Sequence, residues 1–191
     1  YMVEGVRLVR EALVSGGRVE AVVATQRWAA DETLRSLAAS AGAEWIEVAD
    51  RVMAKLAETE TPQGIAAVVR KRETTPEALL SDPVSIVVVA DRLQDPGNLG
   101  AIVRSVDAAG ATGVLIGPDT VDPYNPKAVR AAMGSLFRVP VVAADPAVWL
   151  PKARAAGIRI VGLSPRAELS VYEADIAEKV WFVVGNEGRG V

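Results

Sequence analysis

Two chemically versatile residue types are missing from this chain: its 191 residues include no cysteine and no histidine. The absence of cysteine excludes disulfide bonds and thiolate catalysis, and the absence of histidine removes the commonest general base and metal ligand. Ser-His-Asp and Cys-His mechanisms are therefore excluded. We expect no metal, and any catalysis must use Asp, Glu, Lys, Arg, Tyr, backbone groups or a cofactor.

Long apolar runs are also missing, since none approaches the roughly 18 residues that a membrane-spanning helix needs. No signal peptide is visible, so we expect no membrane association and a cytoplasmic location. Apolar residues still make up 50% of the chain, which is enough to bury a core. The formal net charge of −3 argues weakly against a general nucleic-acid binder.

Helix and strand patterns alternate along the chain, and a charged, proline-bearing stretch, KRETTPEALLSDP, interrupts them. This stretch predicts a linker at residues 73–83, between a small α/β domain at 1–72 and a second domain at 84–191. The Val- and Ile-rich runs of the second domain are typical of strands buried on both faces. Their alternation with helices predicts a parallel sheet flanked by helices, with ligands bound at the carboxyl ends of the strands.

A strand-to-helix corner, QDPGNLGAIVRS, follows the apolar run VSIVVVAD. Pro96 and Gly97 turn the chain, and we expect Asn98 to cap the helix that follows. Arg104 lies opposite the apolar stripe of that helix, among alanines, which predicts that a second subunit or a ligand covers it. The alternative is that Arg104 pairs with a nearby aspartate. The apolar stripe consists of Leu99, Ile102, Val103 and Val106.

A basic island without acidic residues spans Pro123 to Ala144 and includes Lys127 and Arg130. Asn125-Pro126 predicts a helix that begins beside Lys127, and the amino end of a helix favours anions. This pattern indicates a phosphate-binding site, although an ordinary solvated basic helix would have the same sequence.

The segment GNEGRG follows the last strand candidate, VWFVV. Its glycine spacing differs from that of the dinucleotide-binding fingerprint. Closely spaced glycines still allow backbone amides to approach a ligand, such as an adenosine or a carboxylate. An ordinary tight turn is the alternative interpretation.

Taken together, these segments resemble the SpoU/TrmH family of RNA ribose 2′-O-methyltransferases. DRLQDPGNLGAIVRSVDAAGATGVLI is similar to the family's first signature, KAVRAAMGSLFRVPVV to the segment that follows it, and VVGNEGRGV to the second signature. The amino-terminal region, from YMVEGVRLVREAL to TPQGIAAVV, resembles the small L30e-like RNA-binding domain that precedes the catalytic domain in many members.

The resemblance implies a SPOUT domain with a carboxyl-terminal trefoil knot, S-adenosylmethionine as cofactor, and a homodimer with the active site at the subunit interface. It implies 2′-O-methylation of a ribose in structured RNA, with 23S ribosomal RNA as the expected substrate. The site residues that it implies are Arg104, Asn98 and Glu187 as catalytic, and Leu163, Ser164, Gly185, Asn186 and Gly188 as cofactor-binding. The basic island adds Lys127 and Arg130 as the expected RNA-binding residues.

Two departures from the family pattern leave alternatives open. Ala132 stands where many members have serine. The third signature, a Ser-Leu-Asn-bearing helix start, would lie beyond residue 191. Since the chain also begins at Tyr1 without an initiator methionine, we expect it to continue past both ends. The alternatives are a catalytically inactive RNA-binding protein of the same fold and a different nucleotide-binding α/β module. Because an isolated arginine does not give up its proton near neutral pH, an RNA phosphate oriented by Arg104 is a candidate proton acceptor.

Overall fold

The protein forms two compact units, Tyr1–Arg72 and Glu73–Val191. A computed structural model describes residues 1–174, 176, 179–186, 188 and 190. Each unit has a sheet of its own, covered by the helices that the chain makes between its strands.

The first unit contains a mixed four-stranded sheet in the order β1-β4-β2-β3. Strands β2 and β3 are parallel, whereas β4 runs antiparallel to both β1 and β2. The strands are β1 (Met2–Glu4), β2 (Val19–Ala24), β3 (Glu44–Glu47) and β4 (Ile65–Val69), and the helices are α1 (Val6–Val14), α2 (Gln26–Ala29), α3 (Glu32–Ser40) and α4 (Asp50–Leu56).

Two of these eight elements, β1 and α2, have no recognisable pattern of their own in the sequence. These two elements have three and four residues, which is too short for a period of 2 or 3.6 to show. Asp31 caps α3, because its Oδ1 accepts a hydrogen bond from the Leu34 amide at 2.9 Å.

The second unit contains a five-stranded sheet in the order β7-β6-β5-β9-β8, and each pairing is parallel. The predicted parallel sheet flanked by helices is confirmed; the trefoil knot and the L30e-like fold of the first unit stay predictions. The strands are β5 (Ile86–Ala90), β6 (Gly113–Ile116), β7 (Val141–Ala143), β8 (Arg159–Gly162) and β9 (Val180–Val184). The helices are α5 (Pro76–Ser81), α6 (Pro96–Ala108), α7 (Pro126–Ala132) and α8 (Pro146–Ala155), with a short 3₁₀ helix at Ser135–Phe137.

Residues 73–83, which the sequence predicted to be a linker, include helix α5 and part of the core. Leu79 is 1% exposed and packs among the strands of the parallel sheet. Its carbonyl accepts a hydrogen bond from Ser85 Oγ at 2.6 Å, and Ser85 Oγ in turn accepts one from Trp181 Nε1 at 2.9 Å. The linker prediction was therefore wrong for this stretch, because Thr75-Pro76 begins a helix rather than a loop.

The two faces of the parallel sheet differ in burial. Val87 and Val89 of β5 are fully buried among α5, α8 and the neighbouring strands, whereas Ile86 and Val88 are only half-buried. The expectation of strands buried on both faces therefore holds for β6, but not for the other four strands of this sheet. The half-buried face forms the wall of an apolar groove of about 480 Å³. This groove is lined by residues of β5, β9 and α6, together with Leu163 and Val171.

Helices α6 and α7 pack unusually closely, and Gly100 is the reason. A Cβ atom at position 100 would lie 2.4 Å from the Ala128 carbonyl oxygen and 2.6 Å from the Ala131 Cβ. Distances this short are repulsive, so only glycine allows the two helix backbones to approach each other in this way. The contact sets the position of α7 relative to the helix that carries Arg104.

We expect Gly100→Ala to lower the free energy of unfolding of the second unit by about 1–3 kcal/mol, because the added methyl group overpacks the α6–α7 contact. In an ordinary helix interior the same change stabilises the protein by about 0.5–1 kcal/mol, so the sign of the effect is diagnostic. Urea unfolding measures it, with Ser105→Ala on the exposed side of α6 as the control. A Gly100→Ala protein as stable as the wild type would contradict the close packing.

Candidate functional site

The loops that follow β5 and β9 meet at the carboxyl edge of the parallel sheet. The two strands are adjacent and parallel, with Ala90 opposite Val184. Beyond the strand ends, Asn186 Nδ2 donates a hydrogen bond to the Arg92 carbonyl oxygen at 3.0 Å, across 94 positions of sequence. Asn186 Oδ1 accepts from the Gly188 amide at 2.9 Å. One asparagine side chain therefore joins the two glycine-bearing segments that the sequence singled out.

Arg92 takes a left-handed backbone conformation, with φ of 56°. This conformation is uncommon for a residue with a side chain, and here the carbonyl of Arg92 accepts two side-chain hydrogen bonds. Besides Asn186, Gln94 Nε2 donates to it at 3.2 Å and also donates to the Asp119 carbonyl at 2.7 Å. The loop after β5 is thus held from both sides, by the loop after β9 and by the loop after β6.

Helix α6 begins at Pro96, and its cap is Asp95 rather than Asn98. Asp95 Oδ1 accepts a hydrogen bond from the Asn98 amide at 2.9 Å. Asn98 lies inside the first turn of the helix, with its side chain exposed. The expectation that Asn98 caps α6 was therefore wrong. Sequence reasoning missed Asp95, although a proline directly after it is the usual signal for the first helical position.

Arg104 is exposed on α6, and its side chain makes no hydrogen bond or ion pair with any residue of the described part of the chain. The alternative that it pairs with a nearby aspartate is not supported, because the carboxylate of Asp107 on the same helix is bonded to Arg138. A guanidinium with five uncommitted donors at a protein surface is well suited to bind a phosphate or another anion.

Helix α7 begins as predicted, with Asn125 Oδ1 accepting a hydrogen bond from the Lys127 amide at 2.9 Å. Lys127 itself is engaged, because its Nζ lies 2.6 Å from Asp95 Oδ2. The Lys127 ammonium, helped by the Asn98 amide, holds the pKa of Asp95 below its ordinary value. The Arg130 side chain is exposed and, within the described residues, has no hydrogen-bond or ion-pair partner.

The far end of α6 is held by a second carboxylate. Asp107 Oδ2 accepts hydrogen bonds from Arg138 Nε at 3.0 Å and from Arg138 Nη2 at 2.7 Å. The Arg138 guanidinium lowers the pKa of Asp107, and a hydrogen bond from the Ser135 hydroxyl acts in the same direction against partial burial. Arg138, a member of the basic island, therefore serves the packing of α6.

The predicted cofactor-binding residues lie on two neighbouring strand ends. Leu163 and Ser164 follow β8 and line an open cleft of about 580 Å³, together with residues as far as Ala174. Gly185 is buried directly after β9, and the Leu163 amide donates to the Val183 carbonyl at 2.9 Å. Gly185 and Asn186 are not among the residues that line this cleft. Glu187, a predicted catalytic residue, lies outside the described residues.

The described residues hold neither a candidate metal site nor a candidate membrane-spanning helix. They contain no group of three or more Asp or Glu side chains arranged to hold a metal ion. None of the helices in the described ranges has the length and apolar content needed to cross a membrane.

Comparison with known proteins identifies both units. Residues 85–191 match the SpoU rRNA Methylase family, and residues 1–67 match the MRM3-like substrate binding domain. The chain belongs to the SpoU rRNA methylase family. The first-signature, middle and second-signature segments of this SpoU protein all fall within the matched range of the second unit.

Several relatives match over the whole chain. The SpoU protein is 35% identical, over its whole length and 73% of the relative, to a 23S rRNA (guanosine(2553)-2′-O)-methyltransferase of Bacillus subtilis. It is 30% identical, over its whole length and 69% of the relative, to a 23S rRNA (uridine(2479)-2′-O)-methyltransferase of Streptomyces viridochromogenes. An AdoMet-bound rRNA methyltransferase from Sinorhizobium meliloti superimposes with a TM-score of 0.83 at 30% identity, covering the whole chain and 72% of that structure.

We expect Asn186→Asp to loosen the junction of the two segments. The substitution keeps the acceptor for Gly188 but places a carboxylate oxygen against the Arg92 carbonyl, which costs about 1–3 kcal/mol. Hydrogen–deuterium exchange at residues 91–95 and 183–188 should become faster. Asn125→Asp is the matched control, because the Asn125 side chain serves α7 as an acceptor, and exchange there should not increase. Equal protection of residues 91–95 in Asn186→Asp and the wild type would refute the junction.

The lowered pKa of Asp107 makes a contribution to stability that depends on pH. A carboxyl group whose pKa is lower in the folded state than in the unfolded state stabilises the protein at pH values above its ordinary pKa, which is 3.8 for aspartate. This stabilisation is lost as the pH falls through the pKa of the folded state. We therefore expect the stability of Asp107→Asn to fall less steeply than that of the wild type below about pH 4. Urea unfolding between pH 2 and pH 6 measures the difference, and parallel curves would contradict the assignment.

Proposed function

We propose that this SpoU protein transfers a methyl group from S-adenosylmethionine to a ribose 2′-hydroxyl of 23S ribosomal RNA. The observation that carries the proposal is the hydrogen bond from Asn186 to the Arg92 carbonyl, which brings the two signature segments of the family to one sheet edge. The names of the two bacterial relatives support the same reaction on the same RNA. Since those relatives modify a guanosine and a uridine, the target of this chain is specified only as a ribose of 23S rRNA.

The residues present at the strand ends suit S-adenosylmethionine. A cleft of about 580 Å³ lies in the size range of small-molecule sites, and it combines the apolar side chain of Leu163 with the hydroxyl of Ser164. The exposed backbone of Gly188 and the buried turn at Gly185 add main-chain groups at the adjacent strand end. When bound, the cofactor supplies an electrophilic methyl group on a sulfonium.

The part proposed for Arg104 is to hold and orient the RNA. The hydroxyl must lose a proton as it attacks, but a guanidinium is a poor base near neutral pH. Arg104 has uncommitted donors, so it can bind an RNA phosphate and keep that phosphate beside the 2′-hydroxyl, where a phosphate oxygen accepts the proton. Asn98, exposed in the first turn of the same helix, is proposed to contact the same nucleotide, and Glu187 keeps its proposed catalytic role.

RNA binding is proposed to involve both units. The first unit matches a substrate-binding domain, and α7 adds Lys127 and Arg130 beside the carboxyl edge of the parallel sheet. Arg130 is the more direct phosphate ligand of the two, because Lys127 is already paired with Asp95.

A homodimer is proposed to complete the site. Support comes from the open apolar groove beside α6, whose lining includes Ala101 and Ile102 of that helix. A second copy packed there would remove apolar surface from water and would lie next to Arg104. A catalytically inactive RNA-binding protein of the same fold is the alternative outcome of the experiment below.

We expect Arg104→Ala to lower kcat for methylation of a 23S rRNA transcript by about 100-fold or more, because the positioned phosphate is lost. Calorimetry should show S-adenosylmethionine binding within twofold of the wild type. The matched control is Arg130→Ala, which removes an equally exposed arginine from the neighbouring helix and should weaken RNA binding with little change in kcat.

Full activity of Arg104→Ala would remove Arg104 from the mechanism. A wild-type protein that binds the transcript but transfers no methyl group would instead favour the inactive RNA-binding alternative. The methyl position is read by ribose-methylation mapping of the product RNA.

A further inference from the structure

Asp95 divides its two carboxylate oxygens between two helices. Oδ1 accepts the Asn98 amide at 2.9 Å and caps α6, whereas Oδ2 accepts from Lys127 Nζ at 2.6 Å at the start of α7. The first contact needs only an oxygen acceptor, which an asparagine side chain also has. The second contact depends on the negative charge. The two roles of Asp95 can therefore be separated by a single substitution.

The two ion pairs of α6 differ in how firmly they are held. Asp107 receives several hydrogen bonds from the Arg138 guanidinium and one from Ser135, and its side chain is 21% exposed. Asp95 holds Lys127 through one contact to the ammonium, and the two side chains are 42% and 58% exposed. An exposed, single-contact ion pair contributes little stability and exchanges readily for another partner. The Lys127 pair is thus the exchangeable one.

Glycine at position 97 keeps this pair uncovered. A Cβ atom there would lie 2.7 Å from Asp95 Oδ1 and 3.5 Å from Lys127 Cε. No side chain at position 97 therefore stands between the ion pair and a ligand. An incoming phosphate can reach the Lys127 ammonium from this side.

A carboxylate beside a phosphate-binding lysine has a consequence for RNA selection. RNA that leaves the pair intact gains nothing from Lys127, because the carboxylate of Asp95 compensates the positive charge of the ammonium. RNA that brings a phosphate to Lys127 replaces the carboxylate and recovers the interaction. Asp95 therefore withholds from a misplaced RNA the attraction that an unpaired lysine would exert on any nearby phosphate.

We propose that Asp95 is a specificity-determining residue for the RNA, which releases Lys127 to a phosphate of a correctly seated substrate and withholds it from RNA that supplies none. The proposal rests on the rRNA methylation proposed above, since it takes RNA as the ligand of this edge. Asp95 acts through Lys127 and is not itself assigned to the chemical step.

The first test compares Asp95→Asn with Asp107→Asn in the full chain. Both substitutions remove one negative charge from α6 and keep an oxygen acceptor, but only the first one frees Lys127. Binding is measured with transcripts of 23S rRNA and of 16S rRNA, the latter as a structured non-target RNA. For Asp95→Asn we expect binding of the 16S transcript to tighten on the order of fivefold and that of the 23S transcript to tighten less. The preference for 23S rRNA should fall in Asp95→Asn and stay within twofold of the wild type in Asp107→Asn.

The second test uses Lys127→Met, which needs no change at the cap of α6. If a phosphate of the 23S transcript takes Lys127 from Asp95, the slope of log affinity against log salt should decrease in magnitude by roughly 0.7–0.9. An unchanged slope would mean that Lys127 stays with Asp95 in the complex and would overturn the proposal. So would an equal effect of Asp95→Asn and Asp107→Asn on the preference for 23S rRNA.

Failure of this inference is distinguishable from failure of the proposed function. Wild-type protein is first assayed for methyl transfer to the 23S transcript. If methylation is observed and the variants behave alike, only the role of Asp95 is rejected. If the wild type methylates neither transcript, rRNA methylation itself fails and the selectivity argument fails with it.

Discussion

The contact on which the candidate site depends is the hydrogen bond between the Asn186 side chain and the carbonyl of Arg92. It is possible only because β5 and β9 are neighbours and run in the same direction, so that both strands end at one edge of the sheet. The left-handed conformation of Arg92 turns its carbonyl toward both Asn186 and Gln94. The carbonyl of a residue in an uncommon backbone conformation thereby connects three loops. Residues in such conformations tend to cluster at active sites and ligand-binding sites in proteins.

Helix α6 carries the candidate catalytic side chains and is held along its whole length. Asp95 caps its beginning, Gly100 lets α7 approach its middle, and Asp107 ties its end to Arg138. These contacts use the sides of the helix that face α7 and the core. Arg104 is left on the exposed side with its donors uncommitted to the described residues, which is the condition for a group that binds substrate.

Local patterns in the sequence predicted most helices and strands correctly, and the errors have identifiable causes. Asn98 and Asp95 are both good helix caps, and the choice between them depends on where the helix begins, which Pro96 decides. The stretch at 73–83 has the composition of a linker, yet Leu79 is buried there because the parallel sheet offers it an apolar site. Neither error could be avoided from hydrophobic periodicity alone, since α5 has only six residues and the start of α6 is decided by its cap rather than by its apolar stripe.

The sequence by itself determined the parallel α/β architecture of the second unit, the positions of the corners after β5 and β9, and the family. These properties follow from local composition and from motifs in a fixed order. Only the tertiary structure decided which charges are free, because ion pairs join residues far apart in sequence. Lys127 and Arg130 look equivalent in the basic island, but the fold brings Asp95 to Lys127 and, within the described residues, no carboxylate to Arg130. Sequence spacing holds no information about a partner 32 positions away, whereas packing α6 against α7 places the two groups 2.6 Å apart.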